Sequence, residues 1–139
     1  MSKRKILLIF QNAYSRNKRN LRLRNPIYSV DVINRKNATY SRVVPYLEPH
    51  FELFFAECTP ILATNNKDKF VTDLNWVKRA LDHTKWDVVI AFGAQAHQAI
   101  DDLDFNSAEK LPHPVSFKWR KQLMIDVVEK ITPKEILTN

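Results

Sequence analysis

The sequence predicts an α/β domain, a three-layer sandwich around a short, mainly parallel central sheet. Two observations carry that expectation. Short apolar runs at residues 6–10, 51–56 and 86–92 are too brief to cross a membrane and read as buried strands. Between and after them lie segments with apolar residues spaced by three and four, the signature of helices that cover a sheet. At 139 residues, with no internal repeat and no low-complexity linker, residues 1–139 are expected to form a single domain with one core.

Taken in order, the first strand is Ile6-Leu7-Leu8-Ile9-Phe10, and it ends in the amides Gln11 and Asn12. In open α/β sheets the loop at a strand's carboxyl end is where ligands bind, so this end is a candidate site. Residues 15–26 are dense in arginine and asparagine and have almost nothing to bury, which reads as a solvated loop on the rim of that site. Residues 28–37 alternate poorly and are expected to be irregular. Residues 38–47 read as a short helical segment disturbed by Pro45 and closed by Pro49, before the second strand at residues 51–56. Phe70, Val71, Leu74, Val77 and Leu81 form one face of a helix expected over residues 68–83. Trp76 and Trp86 read as packing residues. The third strand runs into Gly93, a sharp turn before a helix over residues 94–103, in which His97 reads as packed or solvated. Residues 104–110 are expected as polar loop and residues 111–115 as extended, held so by Pro112 and Pro114. Ser116 is a candidate cap for a last long helix with Leu123, Val127 and Ile131 buried. Thr132-Pro133-Lys134-Glu135 repeats a capping signature.

Composition excludes several chemistries. The single cysteine, Cys58, rules out an intramolecular disulfide and any four-cysteine metal site within the chain. Gly93 is the only glycine, so neither a phosphate-binding loop nor a dinucleotide fingerprint can form. The four histidines show no ligand spacing, and neither Ser116 nor Cys58 lies in a nucleophile elbow; no metal and no cofactor are expected. The net charge of +7 and pI near 9.6 make a polyanion the first partner to consider. A monomer is expected, cytoplasmic or nucleoid-associated and not secreted, since no signal peptide or membrane segment is legible. Two polar stretches remain to carry chemistry: Gln11-Asn12-Ala13-Tyr14 and His113-Pro114-Val115-Ser116-Phe117-Lys118-Trp119-Arg120.

Those two stretches resemble the end motifs of the uracil-DNA glycosylase superfamily. Phe10-Gln11-Asn12-Ala13-Tyr14 resembles its Gly-Gln-Asp-Pro-Tyr motif, with asparagine at the aspartate position as in some branches. His113-Pro114-Val115-Ser116 resembles a shortened His-Pro-Ser-Pro-Leu-Ser motif. Phe10 stands for the motif's glycine and Ala13 for its proline, and residues 54–57 hold no amide of the kind that reads uracil, so the preferred base stays open. The resemblance implies a uracil-DNA glycosylase-like fold and hydrolysis of the N-glycosidic bond of an extruded base in single- or double-stranded DNA.

Such cleavage builds positive charge on the sugar and negative charge on the base, so a site must hold an anion and place a water. By the resemblance, Asn12 orients the water, which an amide cannot deprotonate, and His113 hydrogen-bonds the base oxygen that gains charge. Gln11, Tyr14 and Phe54 belong to the base pocket, with Tyr14 excluding a 5-methyl group. Phe117 or Val115 would fill the gap in the stack, while Arg16, Lys18, Arg19, Arg22, Arg24, Ser116, Lys118, Arg120 and Lys121 meet DNA. Taken singly, each residue has a plainer reading: Tyr14 as core, His113 as a turn residue, Gln11 and Asn12 as a strand cap. Two rival functions stay open, a non-catalytic DNA-binding protein on the same fold and an N-glycosidase acting on free nucleotides.

Overall fold

The computed structural model describes residues 3–11, 22–62 and 70–132. Its strands are β1 (Arg4–Phe10), β2 (Tyr28–Ser29), β3 (Phe51–Glu57), β4 (Val88–Phe92) and β5 (Glu109–Leu111), in one sheet of order β2-β3-β1-β4-β5. β1 pairs in parallel with β3 and β4, and β4 with β5; only the two-residue β2 runs antiparallel, on the β3 edge. The protein is thus an α/β domain with a mostly parallel sheet. β1 is central and covered on both sides, which is why Ile6, Leu7, Leu8, Ile9 and Phe10 form an unbroken apolar run rather than an alternating one.

The helices are α1 (Ala38–Ser41), α2 (Val44–Leu47), α3 (Leu74–Asp82), α4 (Ala94–Asp102) and α5 (Lys121–Ile131). One sheet face carries Ile6, Leu8, Phe10, Phe55, Ile90 and Phe92, packed under Val43, Val44 and Leu47 and under Met124 and Val127 of α5. The other carries Leu7, Ile9, Ala56, Val89 and Ala91, packed under Val77 and Ala80 of α3 and Ala96, Ala99 and Ile100 of α4. The two faces differ in size. Alanines let α3 and α4 approach closely, whereas rings fill the first face, with Phe10 stacked on Phe92 at 4.7 Å and 7°. Leaving that stack as Phe10→Ala would cost about 3–5 kcal/mol.

Several local expectations change. α3 starts at Leu74, because Asp73 caps it by accepting from the Trp76 N–H; Val71, expected on its buried face, is 88% exposed. The residues expected to be irregular supply β2 and a 3₁₀ turn at Val30–Val32, capped by Ser29. Part of the expected polar loop is β5, whose three residues add to the open edge of β4. Ser116 does not cap the last helix. α5 begins at Lys121 after Arg120, which makes no side-chain cap bond, because Trp119 is buried against Phe92 and its N–H is held by the Ser116 carbonyl. Of the second capping signature, Thr132 ends α5 and the rest lies outside the described residues.

Candidate functional site

Connectivity singles out one place on the sheet. The chain leaves β1 for β3 on one side and then reaches β4 on the other, so the crevice between the carboxyl ends of β1 and β4 is the topological switch point. Gln11 follows β1 there, exposed, and the Cys58 N–H bonds both the Phe10 and Gln11 carbonyls at 3.1 Å. Gly93 follows β4 with φ +90 and ψ 163, a backbone that glycine adopts and other residues avoid. Its N–H bonds the Leu111 carbonyl at 2.9 Å, which ties the end of β5 to the same edge.

His113 hangs from that tie. A Cβ on Gly93 would meet the His113 Cβ at 3.4 Å, and the His113 ring stands edge-on to Phe10 at 6.2 Å. Gln11 and His113, separated by most of the sequence, therefore share the carboxyl edge of the sheet. The Val115 N–H donates to His113 Nδ1 at 3.3 Å, which leaves the ring proton on Nε2, and burial lowers the imidazole's affinity for a second proton. His113 is then a neutral donor at neutral pH, suited to an oxygen that gains negative charge.

The loop after His113 is organised by its own polar groups. Ser116 N–H bonds the His113 carbonyl, Ser116 Oγ accepts from the Lys118 N–H, and Arg120 Nη1 donates to the Phe117 and Trp119 carbonyls at 2.8 and 2.7 Å. This leaves Phe117 85% exposed and Val115 54% exposed, with the Lys118 ammonium 6.0 Å over the Phe117 ring; Lys121, the first residue of α5, is also exposed. An aromatic held out in water beside cations fits a stacked, polyanionic partner. Arg42 Nη1 donates to the Pro114 carbonyl at 2.6 Å and anchors the loop to the turn after α1.

Other expected residues fall elsewhere. Phe54 is not at the crevice: it pairs with Leu7, three positions short of the strand end, and its ring packs on Trp86 at 5.4 Å on the face opposite Phe10. Side chains alternate along a strand, so Phe54 is committed to the α3–α4 face once Phe55 faces Phe10. Arg22 pairs with Ile61 and lies beside the start of α3, and Arg24 is exposed nearby in sequence. Asn12, Tyr14, Arg16, Lys18 and Arg19 lie outside the described residues.

The structure adds a cluster that sequence reasoning missed. Glu57 ends β3 opposite Phe10 and is 1% exposed; its Oε1 is hydrogen-bonded to the Tyr28 hydroxyl, which lies 3.0 Å from the Tyr40 hydroxyl. Oε2 has no partner. Burial pushes the Glu57 carboxyl up to about 8, only partly offset by Tyr28, and the same burial raises both tyrosines. The signal in the sequence was period two: Glu57 shares a face with Leu53 and Phe55, an acid where an apolar residue belongs. Cys58, raised to about 12 first by burial and then by Glu57, is an inert thiol.

Among the described residues no group of three or more histidine, cysteine, aspartate or glutamate side chains could hold a metal, and no helix is long and apolar enough to cross a membrane. Two open surface pockets, of about 880 and 480 Å³, flank α3 and contain neither Gln11 nor His113. No family model matches the chain, and neither the curated proteins nor the solved structures contain a match.

Proposed function

We propose that the chain is a DNA glycosylase-like hydrolase of the uracil-DNA glycosylase type, acting on a base extruded into the crevice between β1 and β4. The observation that carries this reading is the neutral His113, seated against Phe10 at the switch point where the Gln11 end of β1 also emerges. In this reading the base enters with its oxygen toward the His113 Nε2–H, and the Asn12 amide orients a water at the sugar. Negative charge that develops on the base is met by a donor already in place, which is where such sites gain most of their rate. Phe117 fills the vacated position in the stack, and Lys118 and Lys121 meet phosphates. Arg120 serves by holding the loop, its guanidinium already bonded to two carbonyls.

The test is an abasic-site assay on single- and double-stranded oligonucleotides carrying uracil, hypoxanthine or hydroxymethyluracil. Turnover lost in both Asn12→Ala and His113→Ala supports the reading. The exposure of Phe117 beside cations also favours a second reading, a DNA-binding protein of this fold without turnover. Salt-sensitive binding with no abasic product would select it, and release of base from free nucleotides would select an N-glycosidase.

A further inference from the structure

Glu57 plays no part in the reaction as framed above, and its environment asks for one. Among the described residues its Oε2 has no partner, and a sealed carboxyl with an unpaired oxygen is a cost that calls for an explanation in use. The group is not an isolated defect. From Oε1 the hydrogen bonds run to the Tyr28 hydroxyl on β2 and on to the Tyr40 hydroxyl on α1, and Tyr40 is half-buried where Glu57 is sealed. The Tyr40 ring stands edge-on to Phe10 at 5.9 Å, and the His113 ring stands edge-on to the same Phe10 at 6.2 Å. The outer end of the hydroxyl chain and His113 therefore share Phe10 as a neighbour, and Arg42, two residues after Tyr40, holds the Pro114 carbonyl of the His113 loop at 2.6 Å.

We propose that Glu57, Tyr28 and Tyr40 form a proton relay that delivers a proton to the departing base through the Tyr40 hydroxyl. This rests on the glycosylase reading and adds a proton source to it. Hydroxyl protons rotate, so the chain has two arrangements. Pointing inward, Tyr40 donates to Tyr28 and Tyr28 to Oε1, which strands the acid proton on Oε2. Pointing outward, Oε1–H donates to Tyr28, Tyr28 donates to Tyr40, and the Tyr40 proton is free for a ligand.

The step balances as follows in atoms and electrons. The bond between the sugar C1′ and the base nitrogen breaks, and its electron pair goes to the base. Tyr40 gives its proton to the base, Tyr28 refills Tyr40, and Glu57 refills Tyr28 and becomes a carboxylate. Water adds its oxygen to C1′ and releases a proton to solvent, from which Glu57 is recharged. The groups that face Glu57 are Tyr28 from β2 and Tyr40 from α1, with apolar Phe10 from β1 beside it and the Cys58 thiol next in the chain. Among the described residues no cation pairs with it, so nothing but the relay competes for its proton.

The experiment compares wild type with Glu57→Gln, Tyr40→Phe and the double variant in single-turnover cleavage from pH 5 to 9. Binding of an oligonucleotide carrying one 2′-fluorinated deoxyuridine, and the circular dichroism of each variant, are measured in parallel. Glutamine keeps the shape of Glu57 but has no acid proton, so its chemical step should fall by about 10²–10⁴ with probe binding within twofold. Tyr40→Phe should fall to a similar extent and the double variant no further, because a relay fails as a unit. Wild-type turnover should decline above pH 8 as Glu57 ionises, and Glu57→Gln should lack that decline. Folded Glu57→Gln cleaving within twofold of wild type, or keeping the alkaline decline, overturns the relay alone. Absence of turnover by wild type on every base overturns the glycosylase reading and removes the relay's reaction with it.

Discussion

Replacing Glu57 by glutamine should change how stability depends on pH, whatever the protein's reaction. In the unfolded chain the carboxyl loses its proton near its ordinary 4.5, whereas in the folded protein burial holds it to about 8. Between those values the folded state binds more protons than the unfolded state, so stability falls as pH rises through that window. At roughly 1.4 kcal/mol per pH unit the full window is worth about 5 kcal/mol, and water entering the opened cluster reduces this to on the order of 3–5 kcal/mol. That is a large share of the roughly 5–15 kcal/mol by which domains are stable. Glutamine cannot ionise, so Glu57→Gln should match wild type near pH 5 within about 1 kcal/mol and exceed it by several kcal/mol at pH 9. Urea unfolding at half-unit pH steps, followed by tryptophan fluorescence, gives both curves. Parallel curves for the two proteins would refute a sealed, neutral Glu57 and leave the carboxyl hydrated in solution.

Further expectations concern the loop and the crevice. Gly93→Ala forces a side chain into a glycine backbone conformation and against His113 Cβ at 3.4 Å, so it should cost about 1–3 kcal/mol, read as a lower urea midpoint; a loss under 0.5 kcal/mol would show that the turn relaxes. Phe117→Ala removes an exposed ring and should leave the midpoint within about 0.5 kcal/mol while weakening single-stranded DNA binding by about 1–3 kcal/mol in a fluorescence titration. His113 resists protonation in the folded state, so below its ordinary 6.5 the unfolded chain binds more protons and stability falls as pH falls. In the Glu57→Gln background, which lacks the opposing contribution of Glu57 over the same window, His113→Gln should flatten that acidic limb between pH 5 and 7. Proton NMR of the His113 ring, still neutral below 6.5, checks the cause directly.

β1, β3 and β4 and the presence of α3, α4 and α5 were legible because each rests on local pattern. Ile6 to Phe10 is apolar without alternation, which only a strand covered on both faces tolerates, and the single glycine stands where a strand must turn sharply into a helix. β5 escaped notice because Glu109 and Lys110 are polar and pair only by extending the edge of β4. The start of α5 was misplaced because burial of Trp119 against Phe92, a contact between distant elements, outranks the local capping preference of Ser116.

For function the division is sharper. Residue types alone determined that this chain has no phosphate-binding loop, no disulfide within itself and no nucleophile elbow, because those need glycines, cysteines or serines in fixed local spacing. They also named His113 and Gln11. Only the tertiary structure decided that the two share an edge, because the strand order 3-1-4 is set by pairing across the sheet and not by chain order. It removed Phe54 from that edge through side-chain alternation, and it made Glu57 an acid sealed from water between two tyrosines. Burial is a property of the assembled layers, and it is burial that turns an ordinary glutamate into a group that keeps its proton.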